Sequence, residues 1–359
     1  MTALPKTMKA LVAYRKTDYR LELEYPVPEC RANEILIKTE GCGICAGDLK
    51  CRHGAAMFWG DGIQPSWVEP PFIPGHEFLG SIVCIGANVN GFRIGDRITV
   101  EQIAPCGECR FCKDGRYWMC QPHKIYGFFR DYCGGMAEYV RIPVKHSRIH
   151  QVPKEMPLKD ALLIEPYGCS KHCVDRAQIG CEDTVVLSGA GTLGLGMITY
   201  AKLKNPKKLI VLDMVNERLQ KALEFGADLA WNPSETDVAA EIMKLTNGYG
   251  CDIYIEATGY PSSVVQGMRI IRKLGRFVEF SVFGEPATLD WSIIGDRKEL
   301  DVLGSHLSPY CFPFVIESIA AGKLKTDGVV SHIFSLENWE TAFEYASGKF
   351  GGFKTVFEF

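Results

Sequence analysis

One stretch constrains this chain more than any other. Thr184–Ser188 is a short run rich in apolar and β-branched residues, and it leads directly into Gly189-Ala190-Gly191-Thr192-Leu193-Gly194. This is a G-x-G-x-x-G pattern set after a strand and at the start of a helix. The first glycine permits a tight turn and the second lets a pyrophosphate approach the backbone. The third lets helix pack on strand, so that the helix N-terminus faces the phosphates. A second apolar strand, Lys208–Leu212, ends at Asp213, 19 residues beyond Gly194. A carboxylate there bonds both hydroxyls of an NAD ribose and repels the extra phosphate of NADP, which favours NAD. Arg218, one helical turn on, is a counter-signal, since an arginine either receives that phosphate or simply lies in solvent. The bland alternative is a glycine-rich turn with a capping aspartate.

Around this loop, strands alternate with helices. Residues 216–225 and 262–274 read as helices, 252–256 and 275–281 as strands. That rhythm implies a parallel sheet with helices on both faces. Before about Glu165 the texture is different, rich in Gly, Pro and Cys. Short β-type runs at 35–39, 80–85 and 97–100 are separated by turn signals such as Asn90-Gly91 and Gly95-Asp96. This predicts an irregular, mostly β domain. After Gly304 come helical stretches at 314–321 and 339–347 and a last strand at 353–359. At 359 residues the chain exceeds one ordinary core, and two domains are expected.

The charge balance excludes some classes. Forty basic against 43 acidic side chains leave a net charge of −3, which argues against a dedicated nucleic-acid binder. The apolar patch at 10–13 is too short for a signal peptide. The longest uncharged run, 184–201, has the length of a membrane span but carries the glycine loop, so a buried strand and turn are expected, with no membrane partner. Fifteen cysteines are an odd count for a disulfide framework. A reducing, cytoplasmic location is expected, where cysteine clusters bind metal rather than pair.

Four of them, Cys106, Cys109, Cys112 and Cys120, follow C-x2-C-x2-C-x7-C. Four thiolates in one loop can wrap a tetrahedral ion, the closed shell of a structural Zn2+ site. An iron–sulfur cluster is the chemical rival, but those runs use a shorter last gap followed directly by proline, and here Gln121 follows Cys120. Plain buried thiols are the remaining alternative.

A second constellation is dispersed. Cys45 lies in Cys42-Gly43-Ile44-Cys45, His76 and Glu77 in Gly75-His76-Glu77, and Glu165 in Glu165-Pro166. One soft, one borderline and hard carboxylate ligands from separate segments suit an open Zn2+ site that keeps a position for water or substrate. By spacing alone, His76 is equally a satisfied buried histidine and Cys45 a small buried hydrophobe.

Taken in order, Cys-Gly-Ile-Cys, Gly-His-Glu, Gly95-Asp96-Arg97, the four cysteines, Glu-Pro and the glycine loop resemble the zinc-dependent medium-chain alcohol dehydrogenases over essentially the whole chain. The resemblance implies a Rossmann doubly wound parallel-sheet cofactor domain (166–304). It sits between a mostly β GroES-like catalytic domain (1–165) and a C-terminal return to that domain (305–359). It implies two Zn2+ per chain and NAD. Cys45, His76 and Glu165 match the catalytic ligands, Glu77 a carboxylate that replaces a ligand in polyol dehydrogenases, and Asp48 an acceptor that orients the histidine. His172 matches a substrate- or cofactor-positioning residue, and Lys354 a basic residue close to the cofactor pyrophosphate. Gly189, Gly191, Thr192, Leu193, Gly194, Asp213 and Arg218 form the expected cofactor contacts.

Two positions depart from the family. Its usual Ser or Thr two residues after the catalytic cysteine and His five after it are Gly47 and Lys50 here, so the usual proton relay is missing. Glu77, a zinc-bound water, a substrate hydroxyl, a Lys50 of lowered pKa or His53 are the alternatives. Glu165 and Glu77 together resemble the polyol and threonine branch. The implied reaction is oxidation of a secondary hydroxyl to the ketose, through a zinc alkoxide and hydride transfer. The loop before Gly75 carries Trp59 and Trp67, expected to narrow the pocket, and Asp61, Gln64 and Ser66, expected to bond substrate hydroxyls; packing on a neighbouring subunit is the alternative. This loop resembles that of erythritol/threitol-type dehydrogenases and points to a small sugar alcohol. Sorbitol, xylitol or L-threonine are the other substrates, and a non-catalytic zinc- and NAD-binding protein is the reading from another class. A homo-oligomer, dimer or tetramer, is expected, with 277–283 and the loop before Gly75 as candidate contacts. Cys42, Cys51, Cys84, Cys169, Cys173 and Cys251 are left as buried or partly buried thiols.

Overall fold

The part of the chain before Glu165 folds as the strand-rich texture predicts. In the computed structural model, which describes residues 4–359, β1 (Thr7–Arg15) and β2 (Asp18–Pro26) form an antiparallel ribbon. They are followed by β3 (Glu34–Gly43), β4 (Glu77–Ile85), β5 (Arg97–Val100), β6 (Ile103–Ala104), β7 (Lys124–Ile125), β8 (Tyr139–Pro143) and β9 (Ile149–Gln151). Ile35, Leu36 and Ile37 of β3 are all buried, as expected of a central strand covered on both faces.

The second half supplies six strands: β10 (Thr184–Ser188), β11 (Lys208–Leu212), β12 (Leu229–Trp231), β13 (Cys251–Glu256), β14 (Ile271–Glu279) and β15 (Asp301–Gly304). All pair in parallel, in the order β12-β11-β10-β13-β14-β15. The order reverses between β10 and β13, which is where a doubly wound sheet opens a crevice for ligands at its carboxyl edge. Val186, Ile210, Leu212, Tyr254 and Phe277 lie at the heart of its core.

The chain then ends with β16 (Val330–Phe334) and β17 (Lys354–Glu358), which rejoin the first unit. There the order is β16-β17-β3-β4-β5-β9, with β8 also on β3. Val356 faces Gly43 and Phe357 faces Cys42 across β17 and β3, so the last residues lie beside the Cys42–Cys45 segment. One unit comprises Met1–Glu165, Phe312–Ala320 and Thr326–Phe359, the other Pro166–Cys311 and Ala321–Lys325.

Some expectations needed correction. The helix expected over 262–274 is Pro261–Ile270, and the next strand already begins at Ile271. Ile271 pairs with Cys251 and is buried in the sheet core; the ladder then slips before Arg276 pairs with Ile253, and Leu274 takes a left-handed φ of 57°. Burial of Ile271 against β13 overrides its local helical context. Phe277 and Val278, placed among candidate subunit contacts, are buried in an interior strand. The edge is β15, where Val302 is exposed. Among the described residues, no helix is long and apolar enough to cross a membrane.

Candidate functional site

β3 delivers Cys45 to the start of the helix Ala46–Arg52, and Asp48 closes its first turn by accepting the Cys45 N–H at 2.9 Å. The antiparallel partner β4 starts at Glu77, so the β3–β4 pairing brings His76 and Glu77 to the same place. One donor atom each from Cys45, His76 and Glu77 lie within 4.8 Å of one another. His76 and Glu77 are buried, and so is Asp48. Asp48 Oδ1 and His76 Nδ1 face each other at 3.9 Å, and neither makes a hydrogen bond. Burial opposes protonation of His76, yet the charges of Cys45, Asp48 and Glu165 hold its pKa well above the usual histidine value. Burial likewise raises Asp48, with His76 acting against it. Sulfur, imidazole and carboxylate donors in an electronegative, dry pocket fit a zinc ion.

Two further groups complete this cluster. Glu165, at the first turn of the helix Ile164–Ala177, is buried and accepts Gln102 Nε2 at 2.5 Å; it stands outside the three-donor group. Lys354 of β17 is buried, ion-paired with Glu77, and donates to the Ile44 carbonyl at 3.0 Å. Burial works against its charge, but Glu77 outweighs it and the lysine pKa is raised. The ammonium expected near the cofactor pyrophosphate is placed beside Glu77 of the metal cluster.

Phe128 covers one side of the cluster, its ring 5.6 Å from the His76 imidazole. Phe58 stacks on Phe128 at 5.3 Å, and Trp67 lies 5.2 Å from the same ring. The loop's polar groups, in contrast, are used internally. Asp61 Oδ1 accepts the N–H groups of Ile63 and Gln64, and Ser66 donates to the Phe58 and Val68 carbonyls. Trp59 Nε1 donates to the Cys51 carbonyl, and Gln64 is exposed. Asp61 Oδ1 and the Ser66 hydroxyl thus hold the turn of their own loop. Lys50 is partly buried with its pKa lowered by burial, against an opposing pull from Cys45, while His53 is exposed.

The four cysteines form a compact group of their own. Cys106 and Cys112 sulfurs are 4.0 Å apart, and backbone N–H groups point at sulfur: Cys106 N at Cys120 (3.2 Å), Cys109 N at Cys106 (3.3 Å), Gln121 N at Cys109 (3.4 Å). Such donors favour thiolate; the Gln121 and Cys112 N–H groups draw Cys109 down to about 6. Burial acts the other way on Cys112 and Cys120, whose pKa values are raised; four sulfurs gathered this way fit a tetrahedral zinc ion, which binds them as thiolates.

The glycine loop divides its roles as the motif requires. Gly189 has a φ of 109°, available to glycine at little cost. A Cβ on Gly194 would sit 2.0 Å from the Gly189 carbonyl oxygen, whereas one on Gly191 would meet nothing within 4 Å. The space over Gly191 is open, as the approach of a pyrophosphate would require, beside Thr192 and Leu193 at the N-terminus of the helix Thr192–Leu203. Asp213 follows β11 and accepts Ala190 N at 2.8 Å and Val215 N at 2.9 Å, which fixes its carboxylate against the loop. Arg218 lies within the next helix, Asn216–Phe225. On Ile164–Ala177, burial and Arg176 lower His172 to about 4, so its imidazole is neutral.

The Alcohol dehydrogenase GroES-like domain family matches residues 31–154, and the Zinc-binding dehydrogenase family matches residues 192–321. The chain is a zinc-binding alcohol dehydrogenase. It is 50% identical over 350 residues to an erythritol/L-threitol dehydrogenase of Mycolicibacterium smegmatis, spanning 96% of each chain. It is 35% identical to an L-threonine 3-dehydrogenase of Pyrococcus horikoshii, across 97% of this chain and 98% of that one. The structure of a short chain alcohol dehydrogenase from E. coli CFT073, solved with NADH, superposes with a TM-score of 0.86 at 27% identity, covering 99% of this chain and 100% of the other.

Within this dehydrogenase, sequence reasoning missed Gln102 and Phe128. Gln102 sits between two short strands with no motif around it, and Phe128 is one aromatic among many. Only their burial against Glu165 and His76 marks them out.

Proposed function

We propose that this chain is a zinc- and NAD-dependent dehydrogenase that oxidises a secondary hydroxyl of a small sugar alcohol, erythritol or threitol, to the ketose. The observation that carries the reading is the Cys45–His76–Glu77 donor group, electronegative and backed by the Phe128 ring. Half the residues are shared with a relative that bears the erythritol/L-threitol name. When bound, the zinc polarises the substrate hydroxyl as a Lewis acid and NAD accepts the hydride.

The chain's own residues do the remaining work. Cys45, His76 and Glu77 hold the ion, with Glu165 beside them, and Asp48 fixes the histidine ring. Phe128, with Phe58 and Trp67 behind it, excludes water from one flank and narrows the space for longer polyols. Gly189, Gly191 and Gly194 open a path to the backbone donors of Thr192 and Leu193, and Asp213 selects NAD through the ribose hydroxyls. One solved neighbour holds NADH and another NADP, so the preference for NAD rests on the Asp213 carboxylate. Cys106, Cys109, Cys112 and Cys120 hold a second zinc that braces their loop.

The protein is proposed to be a homodimer or homotetramer, since the exposed edge strand β15 leaves a row of backbone groups for a second copy. A cytoplasmic location is supported by the two cysteine-containing metal sites, since cysteine clusters bind metal rather than pair where thiols stay reduced.

The test is NAD reduction by the metal-replete protein over erythritol, L-threitol, sorbitol, xylitol, L-threonine and simple primary alcohols, with and without chelator. The highest kcat/KM is expected for a four-carbon polyol, abolished by the chelator. Preferred turnover of threonine or sorbitol would replace the substrate, and no turnover of any alcohol would overturn the enzyme itself.

A further inference from the structure

We propose that Gln102 is a positioning residue for Glu165, holding its carboxylate beside the Cys45–His76–Glu77 donors and thereby setting how firmly that site keeps its metal. The proposal rests on reading those donors as a zinc site.

The contact is short and dry. Gln102 Nε2 donates to Glu165 Oε1 at 2.5 Å, and the two residues are 2% and 6% exposed. The glutamine is itself held from several sides. Its carbonyl accepts the Tyr126 N–H at 2.9 Å. Its neighbour Glu101, buried as well, accepts Tyr117 Oη–H at 2.6 Å and pairs with His150 Nε2 at 3.0 Å. Clamping of Glu101 anchors the short link between β5 and β6 from which Gln102 reaches Glu165. A donor fixed at its base can fix the direction of its acceptor.

The chemistry of the donor matters. A lysine or arginine in this place would neutralise Glu165. The neutral amide restrains the carboxylate but leaves its full charge acting on the cluster, where it already bears electrostatically on His76 and Lys354. A carboxylate that keeps its charge and its direction strengthens a neighbouring cation site without itself filling a ligand position. Groups that orient a metal's surroundings in this way are worth about 10–100-fold in metal affinity or activity.

The experiment is zinc release from the purified full-length holoenzyme into excess chelator, followed with a zinc-sensitive dye. The four-cysteine ion serves as the internal reference. Gln102→Leu keeps the shape and removes the donor. It is expected to release one ion about 10–100-fold faster, with kcat reduced. Release of the other ion, NADH binding and the thermal midpoint are expected to stay at wild-type values. In a Glu165→Ala background the same substitution is expected to change nothing further, because the partner is gone. Wild-type release rates in Gln102→Leu would overturn the proposal. So would an effect that persists undiminished in Glu165→Ala, or loss of both ions together with a lowered thermal midpoint, which marks a merely structural residue. A wild-type protein holding one ion per chain would overturn the zinc reading of the site, and the proposal with it.

Discussion

Lys354, the first residue of β17, is ion-paired inside the first unit with Glu77, whose neighbour His76 belongs to the same donor group. Their side chains are 5% and 2% exposed. β17 brings the lysine there by pairing with β3, so the two charges meet only when the last strand is in place. Removing one member of a buried pair leaves the other charged and unsolvated. Lys354→Met is therefore expected to cost about 3–5 kcal/mol, read as a fall in the thermal midpoint. Glu77→Gln in the same background is expected to recover part of it. An unchanged midpoint in Lys354→Met would show that Glu77 finds another cation.

The glycine loop separates a binding effect from a folding effect. Gly191→Ala puts a methyl group into open space and leaves the thermal midpoint near wild type, because nothing lies within 4 Å. The same methyl occupies the pyrophosphate cradle, so the KM for NAD is expected to rise at least about tenfold, roughly 1.4 kcal/mol. Gly194→Ala drives its Cβ to 2.0 Å from the Gly189 carbonyl oxygen and is expected to destabilise the cofactor unit instead. Equal behaviour of the two variants would contradict these roles.

Asp213→Ser tests cofactor choice. Two hydrogen bonds between a charged carboxylate and the ribose are worth about 1.5–3 kcal/mol each. Their loss is expected to lower kcat/KM for NAD by about two to four orders of magnitude, roughly 3–6 kcal/mol. Because the repelling charge is also gone, kcat/KM for NADP is expected to rise. A variant that loses NAD and NADP turnover equally would place Asp213 outside the ribose site.

Glu279 provides a pH signature. Burial first, and then the nearby Glu256 carboxylate, push its pKa from 4.5 to about 7, and its Oε1 is buried without a hydrogen-bond partner. An acid whose pKa is raised on folding binds its proton more tightly in the native state. Its stabilising contribution is present below pH 4.5 and is lost as pH rises through about 7. Glu279→Gln mimics the neutral form. Its thermal midpoint is expected to exceed wild type at pH 8 and to match it at pH 4.5. A pH-independent difference would exclude titration of Glu279 as the cause.

The motifs that could be read directly are those whose physics is local. Four cysteines within one loop converge whatever surrounds them, and their sulfurs then collect N–H groups from the same loop. The strand, glycine turn and helix at 184–203 likewise need little beyond themselves, since each glycine answers to backbone a few residues away. Cys45, His76 and Glu77 were legible as residue types in a recognisable order, although nothing in the spacing of 45, 76 and 77 says that β3 and β4 would lie side by side.

Nothing local to Lys354 announces its place beside Glu77, which the pairing of β17 with β3 decides. Likewise, only the folded loop shows that Asp61 and Ser66 bond to its own backbone. Gln102 and Phe128 carried no signal at all, because an amide and an aromatic ring acquire meaning only from what they are buried against. By itself, the sequence determined the glycine loop, the cysteine lobe and the order of strands and helices, through steric and hydrogen-bonding rules that act over a few residues. Tertiary structure alone decided which charges share a dry pocket. Burial removes the water that would otherwise screen them, and only the completed sheets say which side chains lose that water together.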